Sequence, residues 1–396
     1  MRNILTFPSA AMVCFLILGA CSGQEQEEKA GTLKEVTGYE ISIDRYTSPA
    51  EDYIQYVPDW KGKEAMAMHV RGKDQIKLYG LEDGLLMDSI VYVTEGPKAV
   101  KRVYDFHILN EDSIFLNHRY QYSLSLVNRQ MDVLWEFSFL PEDIQLDPKT
   151  QMPLSGKGET YLAVFNHKRL FHKSGKKLII TGSPDRNHYD PDYYDADCLL
   201  VSVDMETGEV RRLLSFPDKM RGKTWGSAHA EHYATYIADE DRYLVSFAAD
   251  EKLHLLDQDF GNLGSFEAKA SSFKEIRPFG VKKSYPENSK ALEYMINMPM
   301  YGSVLYDRFR NLYYRIGLAE IPEYGTEFIR DPLHNAREMT VIVLDSKLNK
   351  IAENKLSSGE NGTFLDRCFV NENGLNVAYV DFSAEDRLYF KTFLPK

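Results

Sequence analysis

Short apolar runs broken by polar turns recur along the chain, and one stretch sets the pattern for the rest. Leu199–Phe216, LLVSVDMETGEVRRLLSF, reads as an apolar strand, a turn over Asp204–Gly208 and a second strand. The same arrangement returns around Leu81-Glu82, Val127-Asn128, Leu256-Asp257 and Leu344-Asp345. Each copy has an apolar run before it (IKLYGL, YSLSLV, KLHLL, TVIVL) and a second strand-like run after a polar turn. The acidic or amide residue suits the turn, because its side chain can accept from backbone amides two residues on.

A second repeated piece lies upstream of each copy. A polar turn precedes an apolar strand at Lys61–Lys63, Glu111–Ser113, Ser174–Lys177, Glu240–Arg242, Asn311 and Asn373-Gly374. Further upstream are short strands such as Val103–Leu109, Tyr233–Ile237 and Ser303–Tyr306. Four antiparallel strands repeated about six times describe an all-β chain folded as a β-propeller of six four-stranded blades. The last unit has only three runs, Arg367–Val370, Leu375–Val380 and Arg387–Phe393. Thr32–Ile43 is strand-like with no neighbour of its own, so the N-terminal strand is expected to complete the last blade and close the ring.

The copies are unevenly spaced, which demands insertions at Pro141–Ser155 with Lys168–Gly175, at Ser183–Asp197, at Phe273–Met298 and at Leu318–Glu338. Long loops in a compact domain usually carry function. Glu287–Met295 and Ser227–Ala234 have the composition of short helices.

Composition refines this picture. The 396 residues include 25 Tyr and 21 Phe, which favour pleated surfaces. A formal charge of −12 and the lack of a basic stripe argue against nucleic acid as a partner. Four cysteines are present; Cys198 and Cys368 fall inside apolar strand patterns and read as buried thiols.

The N-terminus carries an address. Met1–Ala20 has a basic start at Arg2 and an apolar run, Ala10–Leu18, too short to span a bilayer. Leu18-Gly19-Ala20-Cys21 resembles the lipobox of bacterial lipoproteins, which implies cleavage before Cys21 and its acylation. Acyl chains on Cys21 would tether a soluble body to a membrane. Residues 21–31, rich in Glu, read as a flexible acidic tether leading to a propeller domain over 32–396. The acidic run after Cys21 also resembles surface-export signals of Bacteroidota lipoproteins; a spacer facing the periplasm is the alternative. The expected location is the outer membrane, facing the periplasm or the cell surface.

With the hairpin Tyr306-Asp307-Arg308…Asn311…Tyr313-Tyr314-Arg315, the lipobox Cys21 and the overall length, the chain resembles a family of Bacteroidota lipoproteins. These carry a domain of unknown function with a TolB-like six-bladed propeller. The resemblance implies fold and location and transfers no activity.

Three places could carry chemistry. In Asp185–Asp197, DRNHYDPDYYDAD, the carboxylates of Asp190, Asp192, Asp195 and Asp197 could wrap Ca²⁺, although the spacing is not that of an EF-hand loop. Tyr189, Tyr193 and Tyr194 could instead stack on a sugar or peptide, and a merely solvated loop is the default. In Trp225–His232, WGSAHAEH, a helix would put His229 and His232 on one face as Zn²⁺ ligands, but no third ligand lies nearby. His167 and His172 form another pair that nothing in the sequence joins to it. In the Tyr306–Arg315 hairpin, Arg308, Arg310 and Arg315 could grip an anionic group, but Arg308 and Arg310 fall in the solvated turn. Arg315 sits in a strand that should be buried and needs a partner, and an ion pair with an acidic neighbour is expected. No metal site and no cofactor are assigned; GxSxG, P-loop and GxGxxG motifs do not appear.

The reading that accounts for most of this is a membrane-tethered propeller binding a ligand or an envelope protein at one face of its ring. A glycan hydrolase or lyase with a composite site at the channel, and a structural subunit of an envelope complex, are the alternatives.

Overall fold

The computed structural model describes residues 31–396 apart from 97–98, 141–144, 146–147, 149–167, 185, 281–287, 322–336 and 358–361. The signal segment, Cys21, His167, Asp185 and the Pro141–Ser155 insertion (save residues 145 and 148) therefore lie outside the described residues.

Among the described residues, twenty-four strands form six four-stranded antiparallel sheets. The chain opens with β1 (Leu33–Ser42). Blade 1 follows as β2 (Ile54–Trp60), β3 (Lys63–Val70), β4 (Gln75–Gly80) and β5 (Leu86–Val91). Blade 2 comprises β6 (Asp105–Asn110), β7 (Ser113–His118), β8 (Ser123–Val127) and β9 (Val133–Ser138). Blade 3 is β10 (Phe171–Ser174), β11 (Lys177–Thr181), β12 (Leu200–Asp204) and β13 (Val210–Arg212). Between blades 3 and 4 lies a single helical turn, α1 (Gly226–His229), and blade 4 is β14 (His232–Ile237), β15 (Arg242–Phe247), β16 (Lys252–Leu256) and β17 (Asn262–Glu267). Helix α2 (Asn288–Asn297) precedes blade 5, made of β18 (Met300–Asp307), β19 (Leu312–Leu318), β20 (Met339–Leu344) and β21 (Lys350–Leu356). Blade 6 has β22 (Gly362–Asn371), β23 (Gly374–Asp381) and β24 (Arg387–Pro395), with β1 as its fourth strand.

Ring closure follows the expectation from the terminal runs. β1 pairs with β24 from Leu33↔Pro395 to Ser42↔Arg387, and Gly31 and Lys396 add backbone bonds of 2.8 and 2.9 Å around the joined termini. The register shifts between Val36 and Tyr39. Gly38 sits in that bulge, where any Cβ would overlap the Phe390 carbonyl. The closure also explains why five turn copies serve six blades. In blade 6 the turn between third and fourth strands is replaced by the two chain ends.

Because each blade is covered on both faces, its middle strands read as unbroken apolar runs. Alternate residues serve alternate neighbours. On β3, Ala65 and Ala67 enter the cluster shared with blade 2, while Met66 and Met68 enter that shared with blade 6. On β11, Leu178 and Ile180 face blade 2 and Ile179 faces blade 4. On β19, Tyr313 faces blade 4, and Tyr314 and Ile316 face blade 6.

The repeated turns work as expected, with one change. Asn128, Asp204, Asp257 and Asp345 each accept two backbone N–H bonds of 2.8–3.0 Å through Oδ1. In blade 1 the work passes from Glu82 to Asp83, whose Oδ1 accepts from the Leu85 amide at 3.0 Å, because the longer Glu arm does not fit that ring.

Two local expectations are corrected. Lys168–Gly175 is not purely an insertion: it contains β10, the short first strand of blade 3, paired with β11 over Phe171↔Ile180. Ser227–Ala234 is not one helix. Only Gly226–His229 is helical, and His232 begins β14, where the β-prone run HYATYI pairs with β15. The expected helix at Glu287–Met295 is found as α2, from Asn288. Cys198 and Cys368 are buried free thiols in different blades.

Candidate functional site at the channel mouth

First strands line the inside of the ring, where β2 approaches β6, β14 approaches β18 and β18 approaches β22. Residues just before a first strand, or just after a second strand, therefore gather at one end of the channel. A cavity of about 520 Å³ opens there. Blade 1 contributes Asp52 and Tyr53, blade 2 Arg119, blade 3 Arg169 and Ser183, and blade 4 Glu231 and His232, with Met300 of blade 5 below. Lys168 also lines a second cavity, of about 400 Å³, bounded by Asp366 and Arg367 of blade 6 and by Arg337. Together the two cavities form a mouth served by every blade.

Its charges are interlocked. Arg169 pairs with Glu231, bonds the His232 carbonyl and lies 4.8 Å from the centre of the Tyr233 ring. Burial pushes the Glu231 carboxyl up, but Arg169 outweighs it and holds the group below the usual carboxylate range. Arg367 donates to Asp52 at 2.6 Å and to the Ala50 carbonyl at 2.8 Å, joining blades 6 and 1. Asp366 accepts from the Ser303 amide at 3.2 Å and from its hydroxyl, and lies 3.8 Å from Lys168. Gly302 makes that approach possible, since a Cβ there would overlap the Asp366 carboxylate.

The residues singled out from sequence divide between this mouth and the core. Tyr193 and His232 line the cavity. The Tyr193 hydroxyl lies 3.3 Å from Ser183 Oγ, and burial raises the phenol's pKa. Tyr194, Trp225 and His229 are fully buried. Tyr194 donates to the His188 carbonyl at 3.0 Å and receives the Trp225 amide at 3.1 Å, while the Trp225 indole donates to Met220. The acids of the same loop turn outward. Asp190 caps the short 3-10 turn Pro191–Asp195 by accepting from the Asp192 amide at 3.1 Å; Asp192 and Asp195 are exposed. Among the described residues no three His, Cys, Asp or Glu side chains converge as a metal site, so the Ca²⁺ arrangement is not assembled there.

Nor do the two histidines form a pair. His229 Nε2 meets the Pro299 carbonyl at 3.0 Å, and His232 Nε2 meets the Leu199 carbonyl at 2.7 Å. Burial pulls the pKa of each down to about 4, so each is neutral and donates to its carbonyl. His172 packs against Tyr236 instead, with centroids 3.8 Å apart and ring planes tilted by 39°.

Arg315 is completely buried, as its strand position requires, but the expected acidic partner is replaced by backbone. Nε donates to Ser246 Oγ at 3.0 Å. The two terminal nitrogens donate to the carbonyls of Glu251, Ala268, Phe247 and Asp250 at 2.6–3.3 Å. Tyr301 lies 3.8 Å beneath the guanidinium. All five donors are used, and the residue staples blade 5 to blade 4. Burial lowers its pKa to about 10, which leaves it charged at neutral pH.

Sequence reasoning missed Asp52, Arg119, Lys168, Arg169, Glu231, Asp366 and Arg367. They are scattered over the chain, and apart from Glu231, inside the Trp225–His232 stretch, they belong to no motif. The signal available for Asp52, Arg119, Lys168, Arg169 and Glu231 was their position beside first or second strands of the repeat. Asp366 and Arg367 instead lie within β22, where its pairing with β23 is irregular between Phe364 and Cys368.

Fold and site together define a six-bladed β-propeller with a polar cavity, rich in arginine, at one end of its ring. The chain belongs to the DUF4221 family: the family model, a domain of unknown function, matches residues 33–355. The crystal structure of a DUF4221 family member from Bacteroides vulgatus is similar at a TM-score of 0.74 and 18% identity, over 93% of this chain and 99% of that one. A Bacteroides fragilis structure (TM-score 0.49, 10% identity, 93% and 97% covered) and virginiamycin B lyase from Staphylococcus aureus (TM-score 0.40, 11% identity, 91% and 100% covered) resemble it more loosely. No curated protein matches the sequence.

Proposed function

We propose that this chain is a lipid-anchored cell-envelope propeller that binds a ligand or a partner protein's segment at the channel mouth. The observation that carries the reading is the convergence of side chains from all six blades on adjoining cavities at one face. The Leu18–Cys21 lipobox supports anchoring through Cys21 at the outer membrane. Topology supports an orientation too. β24 starts on the mouth side and runs away from it, so Lys396, and Gly31 bonded to it, lie at the far end. A tether leading from Gly31 back to Cys21 then leaves the mouth pointing away from the bilayer.

A glycan hydrolase would need one carboxyl kept protonated near neutral pH. Glu231, beside His232 in the cavity, is held in the opposite direction by Arg169, which favours binding over acid catalysis. Ser183→Trp, which fills the cavity, is the test. Native mass spectrometry of the chain purified from its own envelope should show a bound small molecule or peptide that Ser183→Trp loses while keeping its melting midpoint. A ligand retained unchanged by that variant would remove the reading. Cys21→Ser should abolish acyl labelling and release the protein from membranes.

A further inference from the structure

Two arginines deep in this fold bond through every nitrogen. Arg315 is one, and Arg337 bonds the carbonyls of Ala319, Met295, Met298 and Leu318 through all three nitrogens. Three others, at the mouth, do not. Nε of Arg119, Nε of Arg169, and both Nε and Nη1 of Arg367 are buried with no hydrogen-bond partner among the described residues. Arg367 is only 7% exposed. A buried donor without an acceptor is costly and rare, and calls for an acceptor that the described residues do not provide. The local charge agrees. Across the two adjoining cavities five basic side chains, these three with Lys168 and Arg337, face three carboxylates, Asp52, Glu231 and Asp366. This excess sits on a chain of formal charge −12. A positive cleft in an acidic protein concentrates anions where the low-dielectric walls focus its field. Guanidinium forks match the oxygens of a carboxylate or phosphate.

We propose that the mouth holds the oxyanion of a small molecule, a carboxylate or a phosphate, between Arg119, Lys168, Arg169 and Arg367. This rests on the mouth being the ligand site, and adds the chemistry of what it holds. The test is calorimetric titration of the full chain with inorganic phosphate, with glucuronate and with glucose. At least one of the two anions should bind, glucose should not, and the anion that binds identifies the source of the oxyanion. Arg119→Gln should weaken that binding by about tenfold or more, the loss of one charged hydrogen bond, and Arg119→Lys should restore part of it. Arg119→Gln should keep its melting midpoint, because it removes a donor that has no acceptor among the described residues. If neither anion binds while another ligand binds and is lost in Ser183→Trp, the oxyanion is wrong and the mouth remains the site. Anion binding unchanged by both Arg119→Gln and Ser183→Trp would overturn both.

Discussion

On one side of the ring, first strands join second strands, and third join fourth, through turns of two to five residues. On the other, the connections 139–170, 182–199, 213–231, 268–299 and 319–338 carry the long insertions. The two sides obey different physics. The short turns are self-contained: an Asx side chain closes its own ring on amides a few residues away, and the result repeats in blade after blade. Residues on this side find partners from other blades: Arg169, at the end of 139–170, pairs with Glu231, at the end of 213–231, and Arg367 of β22 pairs with Asp52, just before β2. Repetition stabilises a scaffold, while departures from repetition assemble at one place and make a site there.

This contrast can be attacked through the ring that holds both sides. The largest effect is expected at the closure. Gly38→Val drives a β-branched side chain into the Phe390 backbone, so β1 cannot complete blade 6; the variant should be insoluble or lack a cooperative thermal transition. Next is the staple under the mouth. Arg315→Leu strands four carbonyls and a hydroxyl, and chemical denaturation should show a loss of about 3–5 kcal/mol.

Acid comes third. Burial holds the pKa of His118, His229 and His232 at about 4, below the ordinary 6.5, so the unfolded chain takes up protons first. The stability they contribute is complete above pH 6.5 and falls as pH drops through the folded values. The slope is about 1.4 kcal/mol per pH unit for each group. Denaturation series at pH 7 and pH 5 should show this, and a flat profile would mean that these rings are hydrated. The smallest effect separates the two faces. Asn128→Ala should cost about 1 kcal/mol, whereas Glu82→Ala should stay within about 0.5 kcal/mol, since Asp83 closes that turn. Neither should alter binding at the mouth; an effect there would couple the two faces.

Much of this protein was legible without a structure. Strand identity, the six-fold repeat and the completion of the last blade by Thr32–Ile43 follow from local alternation and turn chemistry, which depend on residues a few positions apart. The burial of Arg315 followed from the same alternation. Its partners did not: a guanidinium reaching across an interblade gap takes whatever acceptors the neighbouring turn presents, and these were carbonyls rather than a carboxylate. The His229–His232 spacing misled because three residues mark one face only if the helix continues, and pairing with β15 ended it. The mouth itself was decided by tertiary structure alone. Arg119, Arg169 and Arg367 share no motif and become neighbours only when the ring closes, because a composite site is written in the curvature of the blades and not in any one of them.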